Sequence, residues 1–225
     1  MPTFASRPSF RPLALISALL VGLSAAIGSG CITTIDGDGP AANATEPLAP
    51  FEGVGALSTR EDDPIDIFVA AIEDGTTERA VPVEEVRLNL YKGLVGKLYS
   101  PLALDYADAA LAELDAAQPD EASLRIGPQD ADAVLMVRVS GWDTRLLETK
   151  GLIDAEADIR LIDQREGALE QRLGWHVTRR FKLDSGLLKE ATPRELQQYG
   201  ARTLALELLD LIPLRDPYPT GGASE

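Results

Sequence analysis

The chain has 225 residues, 45% hydrophobic and 25% charged, which is enough to build the core of one ordinary domain with some sequence left over. Its 36 acidic residues outnumber its 21 basic ones, which excludes an electrostatic nucleic-acid binder, because such proteins displace counterions with clustered Lys and Arg. One cysteine and one histidine exclude an internal disulfide and leave little for metal chemistry, so we predict no metal site and no cofactor.

Residues 1–30 have the three parts of a secretory signal. Two arginines precede an apolar stretch at 13–27, and three small residues follow it at 28–30. The apolar stretch is 15 residues long, whereas a helix needs roughly 20 apolar residues to cross a bilayer. We therefore predict that residues 1–30 are removed, which leaves a mature chain with 19 basic and 36 acidic residues and a net charge of −17.

The only cysteine, Cys31, directly follows these small residues. This arrangement resembles the lipobox of bacterial lipoproteins, although Gly28 stands where that pattern prefers Leu. The resemblance implies that Cys31 is the lipidation site, carrying diacylglycerol and a palmitate-type chain that bind the lipid bilayer, since several acyl chains together anchor stably. In lipoprotein sorting of the enterobacterial type an Asp after the cysteine retains the protein in the inner membrane. Ile32 stands there, which favours the periplasmic face of the outer membrane; a free thiol on an ordinary secreted chain is the alternative.

Residues 31–64 separate the cysteine from the predicted domain. They are rich in Gly, Pro, Ala, Asp and Thr and show no apolar periodicity, so we predict an acylated cysteine followed by a flexible tether. The folded domain is expected at 65–215, and the polar residues 216–225 are expected to be a disordered tail.

The first half of the domain alternates predicted strands and helices. The β-branched run 65–72 predicts a buried strand, and apolar residues at helical spacing predict a helix over 84–99 that Pro101 ends. We then expect a second strand at 102–106 and a second helix at 107–117.

The second half predicts a central strand, a hairpin and a terminal helix. The apolar run 133–139 indicates the central strand, and period-two alternation in 153–161 and 169–177 predicts two long antiparallel strands. A capping box at 192–195 begins a helix that Pro213 stops. The fold class is therefore α/β (α+β), a single mixed sheet with a long antiparallel hairpin, packed by about three helices.

The strand that starts Ala131-Asp132-Ala133 and ends near Trp142, together with the hairpin residues 157–163, resembles a family of bacterial lipoproteins of unknown function. The resemblance covers about 65–215. That family is similar in fold to the periplasmic part of the curli secretion lipoprotein, the amino-terminal domain of TolB, and lipoproteins that activate penicillin-binding proteins. It implies a compact domain that binds other envelope components, and assembly into a homo-oligomer stays open.

The charged residues of the hairpin are the remaining candidates for a site. Arg179, Arg180 and Lys182 form the densest basic cluster of the mature chain, and we expect them to contact the acidic hairpin or a partner. The alternating acids of 154–158 and the single imidazole, His176, are expected on a solvated strand face, not in a catalytic centre.

These observations predict a membrane-anchored bacterial envelope lipoprotein that is not an enzyme and that binds or assembles an unknown envelope protein. Two alternatives stay open. A hydrolase acting on an envelope polymer would need two converging carboxylates in an open cleft. A small-ligand-binding lipoprotein would need an enclosed apolar pocket.

Overall fold

The structure, a computed structural model, describes residues 33–34, 43–52, 54–55, 63–77, 81–116, 126–165 and 169–216. Within them an eight-stranded mixed sheet carries helices on both faces, which confirms the predicted fold class. The elements in chain order are β1 (Thr33–Thr34), β2 (Ala44–Pro47), β3 (Asp66–Val69), β4 (Glu73–Asp74), α1 (Val83–Gly96), β5 (Ser100–Pro101), α2 (Leu104–Ala116), β6 (Ala133–Asp143), α3 (Leu147–Lys150), β7 (Leu152–Asp163), β8 (Glu170–Lys182), α4 (Ser185–Glu190) and α5 (Pro193–Asp210).

The sheet has the strand order β1-β8-β7-β6-β3-β5, with β2 added to β8 and β4 added to β6. The predicted hairpin is present: β7 and β8 pair antiparallel from Leu152 opposite Lys182 to Asp163 opposite Glu170. We call the end at Leu152 and Lys182 the open end of the hairpin, and the end at Asp163 and Glu170 its turn end. β3 pairs parallel with β5 and β6, so the sheet is mixed.

The main core lies on one face of the sheet, beneath α1 and α5. Alternate residues of β7, from Ile153 to Leu161, point into it, as period-two alternation requires. On the opposite face α2 packs at the β3 end, where Ala107 lies near Phe68 and Val134. The outer face of β7 and β8 therefore carries the polar half of the alternation.

The last helix begins as the sequence predicts. The Thr192 hydroxyl oxygen accepts from the Glu195 amide at 3.3 Å, and the Glu195 carboxylate accepts from the Thr192 amide at 2.8 Å, which completes a capping box. Hydrogen bonds from the Thr192 amide and hydroxyl hold the pKa of Glu195 below its usual range, and the bond from the backbone amide is the larger cause. This cap fixes the start of α5 at Thr192.

The strand predicted at 102–106 is wrong, because α2 already begins at Leu104. This segment pairs with β3 only through β5 and the residue after it. The Ser100 amide donates to the Ile65 carbonyl, and the Leu102 amide donates to the Ile67 carbonyl. After those bonds the alanine-rich sequence has a higher propensity for helix than for strand. The helix before it also ends earlier than predicted, at Gly96, so Pro101 does not stop it.

The predicted tether, 31–64, is partly built into the sheet. β2 pairs antiparallel with residues 175–178 of β8, and β1 pairs with 181–182. An edge strand such as β8 leaves unpaired N–H and C=O groups, and any extended backbone can satisfy them without apolar alternation. Residues 1–32, with the signal and Cys31, and residues 217–225 of the tail lie outside the described residues. Among the helices that the structure describes, none is long and apolar enough to span a bilayer.

Candidate functional site: an aromatic cleft

A cleft of about 430 Å³ lies between the turn end of the hairpin, the segment that joins α1 to β5, and the segment after α5. Most of its wall is apolar, and β2 closes one side. Its lining includes Asp63, Tyr99, Arg172, Leu173, Trp175 and Pro213. They come from four separate segments of the chain, so the cleft exists only in the folded domain.

Tyr99 contributes a hydroxyl group to the wall of this cleft. Leu98 adopts a left-handed conformation (φ 67°) that ends α1, and the Tyr99 amide then donates to Leu94 at 3.1 Å. The side chain is 5% exposed, and its hydroxyl has no hydrogen-bond partner among the described residues. Burial, with the negative charge of Asp63, raises the pKa of Tyr99 to about 12. The phenol is therefore a neutral donor at physiological pH.

Trp175 forms the aromatic wall. It lies on the same, core-facing side of β8 as Leu173 and Val177, and it is opposite Pro47 of β2. It is only partly buried, so one part of the ring packs on the core and another borders the cleft. A half-buried indole offers a large apolar contact area together with an N–H donor, which is why Trp is common at binding surfaces.

The charged wall is held by a buried carboxylate. Asp163, 1% exposed, accepts from Arg172 at 3.1 Å and from Arg165 at 2.7 Å. Arg172 also lies 4.0 Å from Asp63, which borders the same cleft. A register shift between Leu161 and its neighbour leaves Arg172 as an extra residue in β8, a β-bulge that places it beside Asp163.

This arrangement can bind a group that combines an apolar side chain or ring with a hydrogen-bond acceptor. Trp175 and Leu173 provide the apolar contact, and Tyr99 provides the donor. The described lining includes one carboxylate, that of Asp63, whereas a glycosidase-type hydrolase uses two. In the described part of the chain no three His, Cys, Asp or Glu side chains cluster to hold a metal ion.

The outer face of the hairpin carries the predicted acids, and two of them, Asp154 and Asp158, are paired with basic side chains. Arg180 forms two bonds to Asp154, at 2.6 and 2.8 Å, and His176 Nδ1 lies 2.7 Å from Asp158 Oδ1. The expected contact between the basic cluster and the acidic hairpin is thus present for Arg180. These pairs are partly exposed, which fits a solvated strand face.

The structure separates the three basic residues of the predicted contact site. Arg179 lies toward α5 and β2, where it donates to Glu207 at 2.9 Å and to the Ala44 carbonyl at 2.7 Å. Lys182 is exposed at the open end of the hairpin, opposite Thr33 of β1. A partner contact at these residues stays a prediction, as does acylation of Cys31, which lies outside the described residues.

No protein-family model matches the chain, and no curated protein matches it in sequence. Among solved structures it is similar to the PelC dodecamer from Paraburkholderia phytofirmans (14% identity, TM-score 0.44, covering 77% of this chain and 99% of that one). It is also similar to lipoprotein GNA1162 from Neisseria meningitidis (14% identity, TM-score 0.38, covering 64% and 97%) and to the hypothetical protein CT253 from Chlamydia trachomatis (11% identity, TM-score 0.42, covering 66% and 91%). TM-scores below 0.5 describe a distant likeness and assign neither a family nor a function. The more specific likeness to the curli, TolB and penicillin-binding-protein activator proteins stays a prediction.

Proposed function

We propose that this protein is a bacterial envelope lipoprotein, anchored through acyl chains on Cys31, whose domain binds a segment of an envelope partner in the aromatic cleft without catalysing a reaction. The observation that carries the proposal is the position of the only cysteine, directly after the small residues that end the secretory signal. A thiol at that point is the acceptor that lipoprotein acylation requires. Residence on the periplasmic face of the outer membrane, favoured by Ile32, belongs to the same proposal.

Mass spectrometry of the full-length protein purified from bacterial membranes tests the anchor. We expect the mature chain to begin at Cys31 and to carry diacylglycerol and an amide-linked acyl chain. Cys31→Ala should abolish both modifications and release the protein from the membrane. Gly28→Leu is the matched control, because it restores the residue that the lipobox pattern prefers and should be processed at least as well. An unmodified wild-type amino terminus would refute the anchor.

The cleft is proposed as the binding site because it combines a half-buried indole with a buried phenol that lacks a partner among the described residues. A photoreactive amino acid at position 213, which borders the cleft, should crosslink the partner in intact cells. The same group at Leu206, which is 52% exposed on α5, is the control site. The crosslink at 213 should disappear in a Trp175→Ala background. Equal crosslinking from both positions would refute the cleft as the site.

Small-ligand binding is the second candidate function, and the Tyr99 hydroxyl is the observation that favours it. A hydroxyl donor on a largely buried side chain that borders a cavity of this volume suits a ligand with one acceptor atom. Native mass spectrometry of the purified protein would show a bound small molecule that is lost in Tyr99→Phe. A mass equal to that of the lipoprotein without ligand would count against small-ligand binding and favour a partner segment in the cleft.

A further inference from the structure

We infer that the surface at the open end of the hairpin lies against the anionic headgroups of the bilayer and so orients the whole domain. This inference rests on the proposed acylation of Cys31. We define the anchor-side surface as residues 143–154 and 180–190, which are the ends of β6 and β8, the start of β7, and the short helices α3 and α4.

The position of β1 fixes where the anchor enters the domain. Thr33 lies opposite Lys182, and Thr34 lies opposite Phe181. Cys31 precedes Thr33 by two residues, and an extended chain spans at most about 3.6 Å per residue. Two residues of chain therefore separate Thr33 from the proposed acylation site, a reach of at most about 7 Å. Acyl chains on Cys31 would hold this end of the sheet next to the membrane instead of at the end of a long tether.

The two segments of the anchor-side surface pack as one unit. The Leu183 amide donates to the Gly151 carbonyl at 2.8 Å, and Gly151 is so close to Leu188 that a Cβ atom there would lie 2.9 Å from its Cδ1. The side chain of Leu146, in the same unit, is 40% exposed. An apolar side chain beside lysines is the composition that the interfacial region of a bilayer accommodates.

The charge of this surface differs from that of the rest of the chain. It contains five acidic and five basic residues, against a net charge of −17 for the predicted mature protein. Two of its acids, Asp143 and Asp154, form ion pairs with Arg145 and Arg180, and Asp184 accepts the Gly186 amide at the start of α4. Ion pairs thus cancel two of the five acids, and the surface as a whole carries no net charge.

The lysines make the surface complementary to anionic lipid. Three of the five lysines of the chain lie on it, Lys150, Lys182 and Lys189, and all three are exposed. Lysines close to an anionic leaflet are attracted to it over about a Debye length. Elsewhere the acidic excess repels the same leaflet, so the bilayer would favour this one orientation.

Lysine footprinting of the acylated full-length protein tests the orientation. The protein is reconstituted in nanodiscs of phosphatidylcholine and phosphatidylglycerol and treated with an amine-acetylating reagent. We expect several-fold slower acetylation at Lys150, Lys182 and Lys189 than in the soluble Cys31→Ala protein. Lys92 of α1 and Lys97, directly after it, are internal controls that should react at the same rate in both samples. Equal rates at all five lysines would overturn the inference.

Hydrogen exchange of charge variants provides a second readout. In nanodiscs, amides of 143–154 and 180–190 should exchange more slowly than in the Cys31→Ala protein. A variant with Lys150→Glu, Lys182→Glu and Lys189→Glu should lose that protection, and one with Lys92→Glu and Lys97→Glu should keep it. Protection that persists in the triple Glu variant would show that the lysines do not cause it and would overturn the inference. Because the acyl mass is measured on the same samples, failure of the anchor and failure of the orientation are distinguished.

Discussion

At each end of the β7–β8 hairpin an aspartate of β7 forms an ion pair with arginine, but the two ion pairs differ in burial. At the turn end, Asp163 is 1% exposed and binds both Arg165 and Arg172. At the open end, the side chain of Asp154 is 35% exposed and, within the described part of the chain, binds only Arg180. The same pair of residue types thus forms a buried network at one end and a solvated surface pair at the other.

This difference separates a rigid site from an adaptable surface. A buried carboxylate with two guanidinium partners has few alternative arrangements, because breaking any contact leaves a charge without water. The wall of the aromatic cleft that contains Arg172 is therefore fixed in place. A partly exposed pair exchanges its partners with water and lipid headgroups at little cost. The open end suits a headgroup-facing role, and the turn end suits selective binding.

Removing the two carboxylates in turn should give the largest difference. Asp163→Ala removes the buried carboxylate that binds Arg165 and Arg172 and should lower the free energy of unfolding by about 3–5 kcal/mol. Asp154→Ala removes a partly exposed pair and should cost at most about 1 kcal/mol. Urea denaturation of both variants measures the two values directly.

The contrast is lost if Asp154→Ala destabilises the domain as much as Asp163→Ala. Asp163→Asn serves as the control for shape, because it keeps the volume and one acceptor but removes the charge. Its cost should lie between the other two. An Asn variant as stable as the wild type would show that packing, and not charge, matters at the turn end.

The cleft also gives the domain a specific response to alkaline pH. Tyr99 has an ordinary pKa of 10.0 when unfolded and a pKa of about 12 when folded. Its contribution to the free energy of unfolding is therefore complete below pH 10 and is lost as the pH rises toward 12. The loss amounts to about 2–3 kcal/mol. Tyr99→Phe should flatten this decline in urea denaturation. The difference in phenolate absorbance between wild type and variant reports the titration of Tyr99 itself, and a midpoint near 10 would contradict its burial.

Much of this fold is predictable because side chains carry the signal. The alternation of apolar and charged residues in 153–161 identifies β7, since one face of it must enter the core. The capping box of Thr192 and Glu195 identifies the start of α5 to the residue. In each case a local sequence pattern has one dominant structural solution.

The cleft is not predictable in the same way, because backbone events create it. The β-bulge that positions Arg172 leaves no mark in the alternation, and the left-handed turn before Tyr99 occurs at a leucine, where the sequence gives no warning. The pairing of β1 and β2 uses backbone groups that every residue possesses. The one available hint was the pair of aromatic residues, Tyr99 and Trp175, and sequence alone does not show that they border one cleft.

Two left-handed residues, one near each end of the hairpin, allow a finer comparison. Gly151 (φ 69°) ends α3 at the open end, and a Cβ there would lie 3.1 Å from the Leu183 carbonyl. Gly151→Ala should therefore destabilise the domain by about 1–2 kcal/mol. Ala substituted at Gly96, where a Cβ meets nothing within 4 Å, is the control. Equal costs at both positions would show that the left-handed turn is not the cause.

The smallest expected effect has the opposite sign and lies beside the cleft. Leu98 (φ 67°) is 45% exposed, so Leu98→Gly relieves backbone strain while losing little apolar contact. Part of that gain is offset because glycine gives the unfolded chain more freedom, which leaves a net stabilisation of about 0.5 kcal/mol. Urea denaturation should show this rise while the phenolate titration of Tyr99 stays unchanged. A variant that gains stability but shifts that titration would mean that Leu98 itself, and not the turn geometry, shields the phenol in the cleft.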